Sequence, residues 1–180
     1  RPQANAQRFN RSAARLAMPE VPEALFLDSI RELVKIDAAW VPGGGENSMY
    51  LRPFMFASEA FLGVRPANEY KFMVIASPVG AYFSGGVKPV KIWLSSNYAR
   101  AAFGGTGAAK CGGNYAAGLL AQMEASERGC EQVCFVDATE HKWIEELGGM
   151  NLYFVFKDGT LVTPPTKGTI LEGITRGSLL

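Results

Sequence analysis

The chain has 180 residues, 48% of them hydrophobic and 19% charged, with a formal net charge of +1. That length carries one good-sized domain or two small ones, and the near-neutral balance argues against nucleic acid or an anionic membrane as the main partner. No apolar run approaches the roughly 18 to 20 residues that span a bilayer, no signal-like apolar stretch opens the chain, and a soluble protein is expected.

Residues 7–17 carry Arg8, Arg11 and Arg15 at helical spacing, and Pro19 and Pro22 stop that helix. From Pro22 to Trp40, Leu25, Ile30, Leu33, Val34 and Ile36 fall on one stripe and predict an amphipathic helix. "VPGGGENS" is a loop. "MYLRPFMFASEA" and "YKFMVIASPVG" read as strands, the second so continuously apolar that a buried strand is expected. A Gly/Pro-rich stretch follows, and residues 78–86 of it read as an interdomain linker.

Beyond the linker, "VKIWLSS" reads as a strand and "NYAAGLLAQMEASERG" as a helix with Gly129 just past its end. "CEQVCFVDA" is a further strand, "KWIEELGGMN" a turn and strand, and "LYFVFKDGTLVTPP" a hairpin about Asp158-Gly159. "GITRGSLL" begins a last helix. Strands outnumber helices in this second half. The opening "RPQANAQRFNRSAARLAMPEV" has no run-in and the close is a helix start, so a fragment of a longer protein is expected.

Three cysteines, Cys111, Cys130 and Cys134, fit a reducing compartment better than a disulfide framework, and a cytoplasmic location is expected. With His141 as the single histidine, neither a zinc site nor a Ser-His-Asp arrangement is supported; Cys130 and Cys134 read as core residues on a strand and His141 as a surface residue in a turn. Lys110 is the more unusual residue. It sits in "GGTGAAKCGGNYAAG", residues 104–118, where glycines would let a flat cofactor lie close to the backbone of a Schiff-base lysine. By itself it also reads as a solvated loop lysine. The segment lacks the G-x-x-x-x-G-K-[ST] spacing of a phosphate loop.

"KCGGNYAAGLLAQMEA", "EELGGMNLYFVF", "LVTPPTKGTILEGITR" and "SMYLRPFMFASEAFLGV" together resemble the branched-chain amino acid aminotransferases among the fold-type IV pyridoxal phosphate enzymes. The likeness runs over essentially the whole chain. It implies an α/β (α+β) two-domain architecture: an N-terminally incomplete small α/β domain over residues 1–77 and a C-terminally incomplete, β-rich cofactor-binding domain over residues 87–180. It also implies transamination of leucine, isoleucine and valine with 2-oxoglutarate. A D-amino acid transaminase or an aminodeoxychorismate lyase is the alternative within the fold, and a catalytically silent folding or assembly piece the alternative outside it.

By the same resemblance Lys110 holds pyridoxal 5′-phosphate covalently and shuttles the substrate proton, and Tyr115 hydrogen-bonds the cofactor's phenolic oxygen. Glu146 matches the glutamate facing the ring nitrogen, with Glu145 pointing to solvent because neighbours on extended chain alternate. The residues alone do not choose between the two. Arg8 matches the arginine that pairs with the 5′-phosphate, and Arg11 and Arg15 default to solvated charges. Ile174 and Thr175 would offer main-chain N–H groups to the phosphate at the last helix's start. Tyr50 and Arg52, which share a strand face with Phe54, are expected at the substrate end. Leu62 and Val64 would reach the neighbouring subunit's pocket in a homodimer, and an aliphatic pocket suits branched substrates. Gly149, Glu172 and Gly177 depart from the residues frequent in the family, Thr, Pro and Asp; the last removes a first-turn carboxylate.

Overall fold

The computed structural model describes residues 1–81, 86 and 88–180, which form two compact units, Arg1–Lys88 and Pro89–Leu180. The first unit begins with helix α1, Pro2–Arg15, which starts earlier than its arginine spacing suggests because a proline is tolerated in the first turn, where its missing N–H costs nothing. Its end precedes both prolines. Ala17 takes φ 54°, and Ala17 and Met18 donate back to Ala14 and Ala13, closing a Schellman turn on a residue other than glycine.

Helix α2, Glu23–Ile36, buries Phe26 and packs Leu27 and Ile30 beside it, while Leu25 is 54% and Ile36 78% exposed. The expected stripe is thus rotated. Phe26, Ile30, Leu33 and Val34 lie within one arc of the helix, and Leu25 and Ile36, eleven residues apart, lie together outside it. A 3₁₀ turn, Ala38–Trp40, ends the segment. Strands β1, Ser48–Ala57, and β2, Tyr70–Val79, pair antiparallel, with Arg52 opposite Ile75. Phe9, Phe26 and Phe72 meet with ring centroids 5.4 to 5.9 Å apart and form this unit's core with Ala6, Val21 and Met55.

The buried strand expected at β2 is instead half-open: Phe72, Val74 and Ala76 are half-buried while Met73 and Ile75 are exposed. A two-stranded sheet covered by helices on one face leaves alternate apolar residues uncovered within the unit. β2 also runs to Val79, two residues into the expected linker. Residues 82–85 of that linker, and residue 87 where the second domain is expected to open, lie outside the described residues.

In the second unit, β3 (Ile92–Ser95) pairs parallel with β4 (Gln132–Val136) through helix α3 (Gly112–Glu127), and β5 (Ile144–Leu147) pairs antiparallel with β4. α3 presents Ala121 and Ala125 to Val133 and Phe135, and its end repeats the Schellman turn with Gly129 at φ 68°. Cys134, between Val133 and Phe135 on β4, is buried outside that cluster, and burial pushes its thiol up to about 11. Cys130 precedes the strand and packs against the same cluster. β6 (Phe154–Val155) and β7 (Leu161–Val162) form the hairpin about Asp158-Gly159, and α4 is the short helix Arg176–Leu179. His141 is exposed, at φ 53°. Among the described residues no helix is long and apolar enough to cross a membrane.

Candidate active site

The crossover from β3 to α3 requires a loop over residues 96–111, and two buried side chains hold it. Asn114, in the first turn of α3, donates from Nδ2 to the carbonyls of Thr106 and Ala109, each at 2.8 Å, and accepts from Thr106 Oγ1 at 2.7 Å. Arg100 donates from Nη2 to the carbonyl of Gly107 at 3.1 Å and to that of Thr169. A Cβ at Gly107 would lie 2.3 Å from the Thr169 oxygen and 2.5 Å from Ala101 Cβ, so this glycine serves the approach of one chain segment to another rather than to a flat ligand. Gly112 and Gly113, by contrast, have nothing within 4 Å of an added Cβ.

The loop delivers Lys110 just ahead of α3, where its Nζ donates to the hydroxyl of Tyr115 and stands 4.9 Å from that ring's centroid. Both side chains are exposed. An amine and a phenol are therefore held together at the mouth of a cleft lined by Arg100, Ala109, Asn114, Tyr115, Glu146 and Leu171, with Gly148 and Gly149.

Glu146 comes from β5 and is buried. Its Oε2 pairs with Arg100 Nη2 at 2.8 Å and accepts from the Leu171 N–H at 3.2 Å; its Oε1 accepts from Asn151 Nδ2 at 3.2 Å. Burial pushes this carboxyl above the usual range, while Arg100, the Leu171 N–H and Lys110 pull it back, and the neighbouring Glu145 adds to the rise. Glu145 overturns the expectation that it faces solvent: it is buried, with Oε1 accepting from Thr169 Oγ1. The cause is a register shift. Cys134 pairs with Leu147 but Val136 pairs with Ile144, so Glu145 and Glu146 together stand opposite Phe135, and this bulge breaks strict alternation.

Ile174 and Thr175 precede α4, with Thr175 as its N-cap, and their main-chain N–H groups meet no protein acceptor among the described residues. Gly149 leaves room beside Tyr115, since a Cβ there would stand 4.0 Å from Cε1 of that ring. Glu172 and Gly177 are exposed.

The remaining expected residues belong to the first unit. Arg8 is half-buried on α1 and donates to Asn5 Oδ1 at 3.5 Å, whereas Arg11 and Arg15 are exposed. Tyr50 and Arg52 share the open face of β1, with the guanidinium 5.2 Å from the tyrosine centroid. Leu62 and Val64, 103% and 109% exposed, ride a loop tied at its base. There Glu59 takes both Nη atoms of Arg65 and the main-chain N–H of Asn68, and Arg65 lies over the Phe61 ring. These contacts hold the Glu59 carboxyl down at about 2.

Sequence reasoning missed Arg100, Asn114, Asn151 and Thr169. Asn114, Asn151 and Thr169 stood inside the quoted motifs, and their fixed places there were the available signal; Arg100 carries none. Among the described residues no group of three or more His, Cys, Asp or Glu side chains could hold a metal ion.

Residues 1–180 match amino-transferase class IV. The chain is 60% identical over 184 residues to the branched-chain-amino-acid aminotransferase of Mycolicibacterium smegmatis, covering 100% of this chain and 50% of that protein. It therefore spans about half the length of the curated relatives it matches. The solved branched-chain amino acid aminotransferase of Escherichia coli superposes with a TM-score of 0.85 at 30% identity, over 99% of this chain and 57% of that one. That from T.th., solved with pyridoxamine 5′-phosphate, gives 0.81 at 34%, with the same coverages.

Proposed function

The chain belongs to the class IV aminotransferases, and from that premise we propose that it supplies the lysine-bearing half of a pyridoxal-phosphate enzyme. The reaction moves an amino group between leucine, isoleucine or valine and 2-oxoglutarate. The observation that carries the reading is the amine of Lys110, the phenol of Tyr115 and the buried carboxylate of Glu146 at one cleft. Similarity over the whole chain to a branched-chain-amino-acid aminotransferase supports the substrate class.

The donor set fits pyridoxal phosphate: a primary amine for the aldehyde, a phenol for the ring oxygen, and a carboxylate whose Oε1 carries a single protein donor among the described residues. Bound there, the cofactor supplies a carbonyl carbon that takes the substrate amine and a ring that spreads the electrons left at Cα. Lys110 would be the residue that holds it, and its amine, once free, would be the base that moves the substrate's Cα proton. Tyr115 donates to the ring oxygen and favours its ionised form. Glu146, paired with Arg100, would face the ring nitrogen and favour its protonated form. The main-chain N–H groups of Ile174 and Thr175 would suit the 5′-phosphate, and Arg8 would offer a guanidinium of the kind that pairs with one. Tyr50 and Arg52 serve the substrate end. Leu62 and Val64 enter the neighbouring subunit's pocket in a homodimer, for which their near-complete exposure on a tied loop is the support. Three free cysteines favour a reducing, cytoplasmic setting.

The test uses the complete polypeptide. With pyridoxal phosphate added, borohydride reduction followed by peptide mapping places the cofactor on Lys110. Lys110→Ala abolishes transamination and leaves the circular dichroism spectrum unchanged. Residual turnover within about tenfold of the parent's overturns the assignment, because losing a covalent-catalysis residue removes orders of magnitude more.

A further inference from the structure

We propose that Arg100 is a positioning residue, which holds the Glu146 carboxylate and the lysine-bearing loop at one fixed separation and gives that carboxylate its counter-charge. The inference rests on the cofactor reading above and concerns a residue outside the groups that touch the cofactor in that reading.

Arg100 is 7% exposed. Its Nη2 alone meets three acceptors from three parts of the unit: Glu146 Oε2 on β5, the Gly107 carbonyl three residues before Lys110, and the Thr169 carbonyl beyond β7. Its Nε is buried with no hydrogen-bond partner among the described residues. A guanidinium placed only to satisfy itself would spread its donors; here they converge on the junction. Gly107 is part of the same joint, since any Cβ would drive the loop away from Thr169.

Stability alone does not explain the arrangement. Replacing a buried ion pair by apolar side chains of similar volume is often neutral or stabilising, so the pair's value lies in orientation and charge. Burial presses Glu146 toward its neutral acid, and Arg100 is the largest influence opposing that, ahead of the Leu171 N–H and Lys110; Glu145 acts the other way. Without the guanidinium that balance shifts further toward the neutral acid, and the ring nitrogen would face a weaker counter-charge.

The experiment is Arg100→Met in the complete polypeptide, read in three ways. In the cofactor-free protein, carboxyl ¹³C NMR with Glu146→Gln for assignment reports ionisation, and Glu145→Gln separates the neighbouring acid's contribution. Parent Glu146 takes up its proton above the ordinary carboxylate range, and in Arg100→Met that protonation moves to higher pH still. In the loaded protein, ¹⁵N NMR of labelled pyridoxal phosphate moves from the protonated toward the neutral ring signal. In turnover, kcat falls about 100-fold, the loss that a small misplacement of reacting groups brings, while KM stays within about threefold.

Arg100→Lys keeps the charge and loses the fork, so both NMR signals stay near the parent's while kcat still falls. If Arg100→Met does not fold, Arg100→Lys decides by that split, and a parental kcat there overturns the proposal. Parental ionisation, ring signal and kcat in Arg100→Met overturn it as well. A parent that never bonds the cofactor at Lys110 sinks the functional reading instead, and the cofactor-free carboxyl measurement still judges Arg100.

Discussion

Asn114→Ala removes the clamp beneath Lys110. The side chain makes two donated bonds at 2.8 Å and accepts one at 2.7 Å. At about 1 kcal/mol net for each bond, the loss is about 3 kcal/mol. Ala109 is buried, so its carbonyl is left without a donor and adds about 1 kcal/mol more, whereas water reaches half-buried Thr106. Asn114→Asp discriminates better than alanine. Two main-chain carbonyls are met by the amide nitrogen, and in the aspartate an oxygen takes its place with no hydrogen to offer. Despite matching asparagine in shape, Asp is therefore more destabilising than Ala at neutral pH. Burial among acceptors raises the folded pKa of that Asp, so the variant is least destabilised below about pH 4, the ordinary aspartate value, and loses stability as pH rises through its raised pKa. Urea unfolding of parent and both variants at two pH values checks the order. An Asp variant that matches the parent at neutral pH refutes the clamp.

Glu146→Gln keeps the volume but leaves Arg100 buried without a counter-charge, costing about 3 kcal/mol, and slows Cα proton transfer by about 100-fold in stopped-flow half-reactions; adding Arg100→Met to it recovers most of the melting temperature, and an additive double variant contradicts the pairing. Because Glu59 sits at about 2 rather than the ordinary 4.5, held by Arg65 and then by the Asn68 N–H, the order it gives the Leu62–Val64 loop is complete above pH 4.5 and is lost as pH falls toward 2. Amide exchange at Asn68 followed across that window checks it, and a flat profile counts against the tie. Ala17→Gly relieves a left-handed alanine at the end of α1 and stabilises the fold by about 0.5 to 1 kcal/mol in thermal melts, since glycine adopts that conformation without a Cβ clash.

The elements that the sequence made legible are those with a local cause. Gly129 ends α3 because its φ favours glycine, and Asp158-Gly159 turns its hairpin for the same reason. α2 was legible as a helix but not in its orientation, since Phe26 and Leu25 are both apolar and only the partners Phe9 and Phe72 select Phe26. The openness of β2 was hidden likewise, because an apolar run reads the same whether one face or both are covered. Lys110 stood out in its glycine-rich stretch, and the family resemblance of the motif marked Tyr115. Arg100 could not: it stands in "NYARAA" with nothing to mark it, and its importance arises from Gly107, Glu146 and Thr169, up to 69 residues away.

The adjacent glutamates carry this furthest. On a regular strand one of the pair must face away, and choosing Glu146 would assign Glu145 to solvent. The bulge opposite Phe135 removes that constraint and turns both carboxylates inward, at the expense of one ladder position. The partners of the two buried side chains differ in kind. Glu146 has a guanidinium and a main-chain N–H on Oε2 and Asn151 on Oε1. Glu145 has the Thr169 hydroxyl on one oxygen and no partner among the described residues on the other. The positive charge thus goes to Glu146, the one of the two with a built counter-charge. The choice that the strand's alternation could not make follows from where Arg100 points.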